Sequence, residues 1–270
     1  MSGLTVVRAG WVATVQDAGR PGLAHLGVPG SGAVDVDELA LLNRLVGNRP
    51  DAAGLETAGG LALRALGPAV VATSAERVAR SVAADDLVSV EPAPGELFGY
   101  LAVRGGLNVA PVLGSCSHDS LSGLGPPPLL DGQELAVGSD PGGELITEPA
   151  PRRPRPAVAE IWPGPRQDWF APSALDQLRA TEWRVSDVVS RVGVRLDGPA
   201  LVRTVTAELP SEGLVRGAIQ VPPAGRPVVM SADHPTTGGY PVIAVVDPAS
   251  LTVVTQARPG APVRFRARRA

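Results

Sequence analysis

Polar side chains that could do chemistry are concentrated in one glycine-rich stretch, VQDAGRPGLAHLGVPGSGAVD, residues 15–35. It holds five glycines together with an arginine, a histidine, a glutamine and two aspartates. Glycine lets the backbone turn tightly and approach a ligand closely, and the polar side chains could bind a ligand or transfer a proton. The composition fits a scaffold loop and the wall of a site equally well.

Two arginines flank a glycine in RVGVR, residues 191–195. In a strand, Arg191, Gly193 and Arg195 would share one face. Two guanidinium groups beside a glycine could bind a carboxylate or a phosphate. Two surface ion pairs are the alternative interpretation.

A second candidate anion site is TTGGY, residues 236–240. Its two hydroxyls and a Gly-Gly turn that includes Gly239 could bind an anion through backbone N–H groups. Gln220 and Tyr240 could add directional hydrogen bonds. A hairpin with a polar tip explains the same pattern.

A serine, a histidine and an aspartate are adjacent in SCSHDS, residues 115–120. Adjacent residues cannot form a catalytic triad, because its members meet through the fold. The segment is predicted to be a polar loop, in which His118 could line a site. The three histidines, at 25, 118 and 234, lack metal-ligand spacing, and no metal site is predicted.

The elements that must position these residues are mainly strands. The 32 glycines and 28 prolines, set between Val/Leu-rich runs, favour many short strands joined by tight turns, with a few short helices. A helix is predicted near 35–47, with Asp35 as N-cap, Glu38 in a capping box and Gly47 at the end. The glycine-rich stretch would then lead into a helix N-terminus, which favours anions.

The segment EPAPRRPRPAVAE, residues 148–160, predicts a linker, because its prolines and arginines suit no strand interior. It would separate an N-terminal β-rich half, residues 1–150, from a C-terminal β-barrel half, residues 157–270. One intertwined domain is the alternative. A short helix is predicted near 173–179.

Composition and charge exclude several functions. A net charge of −3 predicts no binding to nucleic acid, and the basic clusters at 152–155 and 264–269 are interpreted as a solvated linker and tail. No apolar run approaches the ~20 residues that cross a membrane, and the N-terminus does not resemble a signal peptide. A single cysteine suits a reducing compartment, so a cytoplasmic location is expected. The chain has no lysine, which excludes a Schiff base, a P-loop lysine and an attached biotin.

Seven blocks follow one another along the chain: TVQDAGRPGLAHLGVPGSGAVD, LLNRLVGN, LAVRGGLNVAPVLGS, PGPRQDWF, RVGVRLDGP, SEGLVRGAIQVPP and TTGGYP. Together they resemble the allophanate hydrolase subunit 2 family, also called the biotin-dependent carboxyltransferase-like family, over essentially the whole chain. The resemblance implies cyclophilin-like β-barrels. It also implies an active site shared with a homologue of allophanate hydrolase subunit 1, which corresponds to the B subunit in the 5-oxoprolinase members. Those members also have an A subunit.

The resemblance implies three functions. The first is the C subunit of an ATP-dependent 5-oxoprolinase, an amidohydrolase that opens 5-oxo-L-proline to L-glutamate, is inactive without its partner chains and uses ATP at the level of the complex. The second is the carboxyltransferase half of a biotin-dependent urea or amide carboxylase, with biotin carried on another chain. The third is a non-catalytic regulatory partner of a kinase-inhibitor-like protein. A small-molecule amide is the substrate in both enzymes.

The site residues come from the blocks that match the family. As catalytic residues the resemblance implies His25, Asp17 and Glu212. As ligand-binding residues it implies Gln16, Arg20, Ser31, Asp35, Arg191, Arg195, Ser211, Gln220, Thr237, Gly239 and Tyr240. Many relatives have an aromatic residue where Val194 stands, Gln where Pro235 stands and Lys where Val242 stands, and these departures leave the substrate open.

Overall fold

The computed structural model describes residues 3–152 and 156–268. The chain divides into two compact units. Residues 3–21 and 31–152 form the first unit, and residues 22–30 and 156–268 form the second. The mainly β architecture with short helices that the sequence predicts is confirmed. Among the described residues, no helix is both long and apolar enough to cross a membrane.

The first unit is built from short strands around one helix. Its described elements are β1 Gly3–Arg8, β2 Val12–Gln16, α1 Val36–Leu45, β3 Gly54–Ala58, β4 Leu61–Ala65, β5 Ala69–Thr73, β6 Arg80–Val82, β7 Leu87–Val90, β8 Phe98–Val103 and β9 Glu134–Ala136. The order β7-β4-β1-β9 makes a four-stranded sheet, and β2-β3-β8-β5-β6 makes a five-stranded sheet. The alternating side chains of β4 place Leu61, Leu63 and Ala65 in the core of this unit.

The start of α1 agrees with the sequence in part. Asp35 is its N-cap, since the carboxylate accepts the N–H of Glu38 at 3.0 Å. The reciprocal bond of the predicted capping box is replaced, because the Asp35 N–H donates to the hydroxyl of Tyr100 at 2.9 Å. The carboxylate of Glu38 instead forms an ion pair with Arg77 at 3.3 Å.

The end of α1 is a Schellman motif centred on Gly47. This glycine has a φ of +75° and donates its N–H to the carbonyl of Arg44 at 3.1 Å. Asn48 donates to the carbonyl of Asn43 at 2.8 Å. The predicted helix end is therefore confirmed, with glycine in the left-handed conformation that other residues adopt at a cost.

The second unit contains the larger sheet. Its described elements are β10 Ala159–Pro163, α2 Ala174–Ala180, β11 Trp183–Val189, β12 Gly193–Asp197, β13 Glu212–Gly213, β14 Ala218–Gln220, β15 Val228–Met230, β16 Thr237–Gly238, β17 Val242–Val246, α3 Thr252–Thr255, β18 Pro262–Val263 and β19 Phe265–Ala267. The helix predicted near 173–179 corresponds to α2.

Eight of these strands form one sheet in the order β18-β11-β12-β15-β14-β17-β10-β19. Its outer strands, β18 and β19, are separated in sequence by Arg264 alone, so the sheet nearly closes into a barrel. The core of this unit is apolar and includes Trp183, whose indole N–H donates to the carbonyl of Leu178 at 2.9 Å. Side chains therefore fill the interior, as in other small closed sheets.

The division between the two units falls inside the predicted linker, residues 148–160. Arg152 in this segment is not simply solvated, because it pairs with Glu96 at 3.1 Å. β10 begins at Ala159, and residues 153–155 lie outside the described residues. The predicted solvated tail is wrong for 265–267, which form β19 and pair in parallel with β10. Phe265 is 2% exposed and belongs to the core.

Candidate functional site

Asp17 anchors a loop from a distant part of the chain. Its carboxylate accepts the hydroxyls of Ser115 at 2.6 Å and Ser117 at 2.5 Å. It also accepts the backbone N–H of Cys116 at 2.6 Å and of Gly19 at 2.7 Å. Four donors on one buried carboxylate fix the loop 115–117 against the end of β2.

The backbone carbonyl of His118 also bonds to the glycine-rich stretch. It accepts the side-chain N–H of Gln16 at 2.9 Å and the hydroxyl of Ser31 at 3.0 Å. The His118 N–H donates to the carbonyl of Val15 at 3.0 Å. Gln16 is fully buried, and its Oε1 has no hydrogen-bond partner among the described residues. A buried acceptor without a partner is an exception that a bound ligand or an ordered water would explain.

Arg20 is a buried cation bonded to carbonyl groups. It is 2% exposed, and its Nη2 and Nε donate to the carbonyls of Ser117 at 2.5 Å and Val112 at 3.3 Å. Its Nη1 has no partner, and no carboxylate pairs with it, within the described part of the chain. Because a buried charge without a counter-charge is costly, this guanidinium suits a negatively charged or polarised oxygen from a ligand.

A glycine brings the two ends of the glycine-rich stretch together. Gly32 has a φ of +90°, and a Cβ there would lie 2.9 Å from the Gly19 nitrogen and 3.0 Å from the Ala18 carbonyl carbon. The N–H of Ala33 donates to the carbonyl of Asp17 at 3.0 Å. Residue 32 must therefore lack a side chain for residues 17–19 and 31–33 to lie back to back.

Carboxylates crowd the start of α1. The Val34 N–H donates to Glu56 at 2.7 Å, and Asp35 and Glu38 lie in the same buried region. Burial raises the pKa of Glu38 to about 7, a rise that the nearby Arg77 opposes and the charge of Asp35 increases. The anion-favouring helix N-terminus expected from the sequence is thus already occupied by carboxylates, which repel an anion.

The predicted arginine pair of the second unit is not formed. β12 begins at Gly193, so Arg191 lies before the strand and does not share its face with Arg195. Arg191 is buried and donates from Nε and Nη2 to the two oxygens of Asp233, both at 2.8 Å. Arg195 is exposed on the outer face of β12. The two arginines therefore cannot bind one ligand in the predicted manner.

The other predicted residues of the second unit lie on or beside a two-stranded ribbon, β13 with β16. Glu212 makes an ion pair with Arg166, whose hydrogen bonds hold the pKa of that carboxyl below its ordinary value. Beneath the ribbon, Gln220 donates to the carbonyl of Tyr240 at 3.0 Å. The exposed members of this group are Ser211, Thr237, Gly239 and Tyr240. The catalytic role of Glu212 stays a prediction.

The catalytic role of His25 stays a prediction. His25 is exposed in a 3₁₀ turn, Ala24–Leu26, that belongs to the second unit, with Nδ1 3.0 Å from the carbonyl of Gly22. In the first unit, the structure brings Gln16, Asp17, Arg20 and Ser31 together with Ser115, Ser117 and His118. Ser115 and Ser117 were not predicted as partners of Asp17. The density of polar side chains in SCSHDS was the feature of the sequence that could have indicated them.

Comparisons with known proteins match this chain to carboxyltransferase domains. Residues 26–267 match the family model described as carboxyltransferase domain, subdomain A and B. The C subunit of 5-oxoprolinase from Escherichia coli (strain K12) is 35% identical over 280 residues, which cover 97% of this chain and 90% of that protein.

Two solved structures match almost the whole chain. The crystal structure of TTHA0988 has a TM-score of 0.87 at 35% identity and covers 98% of this chain and 55% of that chain. The K. lactis urea amidolyase has a TM-score of 0.87 at 27% identity and covers 97% of this chain and 18% of that chain. The chain thus spans about half of the first structure and less than a fifth of the second.

Proposed function

This chain belongs to the carboxyltransferase domain family with subdomains A and B, and on that premise we propose that it is the C subunit of a heteromeric ATP-dependent 5-oxoprolinase. The observation that carries the proposal is the 35% identity to the C subunit of E. coli, which extends over nearly all of both chains. The complex opens the lactam of 5-oxo-L-proline to L-glutamate as ATP is hydrolysed. This chain has no activity without its partner chains.

The polar cluster of the first unit suits a cyclic amide that carries a carboxylate. Lactam opening needs an acceptor for the ring N–H and donors for the carbonyl oxygen, on which negative charge develops. Oε1 of Gln16 supplies an acceptor, and Nη1 of Arg20 supplies a charged donor for the carbonyl or the carboxylate oxygen. Asp17 keeps both residues in place through the loop that they share.

We propose that ATP binds a partner chain. This chain has no lysine for a phosphate loop, and the carboxylates of Asp35, Glu38 and Glu56 disfavour a phosphate at the start of α1. These features do not fit a phosphate loop or a phosphate at the start of α1, and no step through ATP is assigned to this chain. The expected partners are homologues of the B and A subunits of 5-oxoprolinase, in a cytoplasmic complex.

The test is reconstitution with the partner chains and measurement of ATP-dependent L-glutamate release from 5-oxo-L-proline. Release is expected only when this chain, its partners and ATP are all present. Arg20→Gln should lower the turnover by about 100-fold, because a charged donor to the reacting amide is lost. Arg49→Gln is the matched control, since Arg49 is an exposed arginine of the same unit that pairs with Asp51.

The second candidate is the carboxyltransferase half of a biotin-dependent urea or amide carboxylase. The observation that favours it is the match to the K. lactis urea amidolyase over 97% of this chain. Biotin would be carried on another chain, because this one has no lysine to attach it. Carboxyl transfer to urea without glutamate release would replace the first proposal by this one. Partner binding without either turnover would indicate the regulatory role.

A further inference from the structure

His118 has a backbone that neighbouring residues fix on both sides. Its N–H donates to Val15, and its carbonyl accepts from Gln16 and Ser31. The preceding residue, Ser117, is held by Asp17 through its hydroxyl, and its carbonyl accepts from Arg20. The position of the histidine is thus set by the same residues that form the polar cluster.

The Nδ1 atom of the His118 imidazole is not held in this way by any described residue. His118 is 8% exposed, and Nδ1 is enclosed by the protein without a hydrogen-bond partner among the described residues. Histidines that are buried for structural reasons normally have a partner for a ring nitrogen, because an unpaired buried polar atom costs about 1–3 kcal/mol. An unpaired ring on a fixed backbone is an exception that needs an explanation, and a catalytic role is one of the explanations known for such groups.

The polar cluster of the first unit thus contains three groups of different chemistry. Gln16 offers an acceptor, Arg20 a charged donor and His118 a ring that can take and return a proton. All three side chains are more than nine-tenths buried and are connected through the adjacent peptide groups of residues 117 and 118. His25, in contrast, is exposed and has Nδ1 beside the carbonyl of Gly22.

We propose that His118 is the catalytic proton-transfer residue of this site, in place of His25. The assignment rests on the proposed opening of a cyclic amide. The neutral imidazole takes a proton from water as the water oxygen bonds to the lactam carbonyl carbon. The C–N bond then breaks, and the imidazolium returns that proton to the leaving nitrogen, so the ring ends neutral.

The test compares His118→Gln with His25→Gln in the reconstituted complex. His118→Gln is expected to lower kcat by about 100-fold with little change in KM, because the amide of glutamine cannot exchange a proton. It should also remove the acid limb from the pH profile of kcat, because the proton transfer needs the neutral ring. Loss of the limb in His25→Gln would instead assign the proton transfer to His25. The control is His234→Gln, at a histidine outside the predicted site, which should keep the wild-type rate and limb. Added imidazole should partly restore His118→Ala.

A purely structural role for His118 would give a different result. His118→Gln would then lose partner binding or stability, while the remaining active fraction would keep the wild-type acid limb, and imidazole would restore nothing. Wild-type turnover in His118→Gln, or loss of the limb in His25→Gln, overturns the assignment.

A labelling experiment separates this inference from the proposed function. Diethyl pyrocarbonate modifies histidine rings, and mass spectrometry resolves the labels on residues 25, 118 and 234. In the complex, 5-oxo-L-proline is expected to protect His118 and leave His25 reactive. Protection by urea alone would reject the 5-oxoprolinase function but keep the site at His118. Equal labelling of His118 with and without either amide overturns the inference.

Discussion

Replacing Glu38 by glutamine is expected to stabilise the first unit at pH 8 and to leave its stability unchanged near pH 4.5. The pKa of Glu38 rises from 4.5 to about 7 in the folded chain, chiefly because the carboxylate is buried. The unfolded chain therefore releases this proton at lower pH than the folded chain does. Between these two values, a rise in pH favours unfolding, and above about pH 7 the full penalty remains.

The size of the effect follows from the shift. Each unit of pKa corresponds to about 1.4 kcal/mol, so the rise of Glu38 corresponds to about 3 kcal/mol at pH 8. Glutamine copies the protonated carboxyl and keeps a neutral partner beside Arg77, so the variant should lack this penalty. Near pH 4.5 the wild-type side chain is protonated in the folded state, and the difference should disappear.

The measurement is the free energy of unfolding of the first unit, obtained from urea-dependent hydrogen exchange of the α1 peptide, residues 36–45, at several pH values. Other titrating groups cancel in the difference between variant and wild type. Glu76→Gln is the control, because Glu76 is a partly exposed carboxylate of the same unit that pairs with Arg80. A variant less stable than wild type at pH 8, or a difference that does not change with pH, refutes the reasoning.

Two further predictions concern buried carboxylates. Asp17→Asn should lower the stability of the first unit by about 2–3 kcal/mol in urea unfolding, because its amide N–H groups would face the donors of Ser115 and Cys116. Unchanged stability would show that Asp17 is no anchor. Arg191→Met should destabilise the second unit by about 3–5 kcal/mol in thermal unfolding, because fully buried Asp233 loses its bidentate partner. Adding Asp233→Leu to Arg191→Met should recover much of this lost stability. Weaker ligand binding at unchanged stability would contradict the structural role of Arg191.

The sequence could predict features that depend on near neighbours. The ends of α1 follow from Asp35 and Gly47, because capping and a left-handed turn involve residues within one helical turn. The mainly β architecture follows from the spacing of glycine and proline among apolar runs. These are local preferences, and the tertiary structure did not override them.

Features that depend on distant partners were not predictable in the same way. Arg191 pairs with Asp233 across 42 residues, and Asp17 accepts from Ser117 across 100. Neither pairing changes the local pattern of the sequence. The sequence alone therefore predicts a ligand-binding role for Arg191 and a polar loop at 115–120. Phe265 likewise stands among basic residues, so the local sequence did not indicate that its side chain belongs to the core.

The parallel pairing of β19 with β10 has a consequence for how the protein is made. Ala159 in β10 faces Phe265 in β19, more than a hundred residues later in synthesis. At about 5–20 residues per second, several seconds pass on the ribosome before that partner exists. Until then one side of β10 is an open edge that another nascent chain could occupy. The second unit therefore completes its sheet only after residue 267 has been translated, and chaperone protection of the β10 edge would matter until that point.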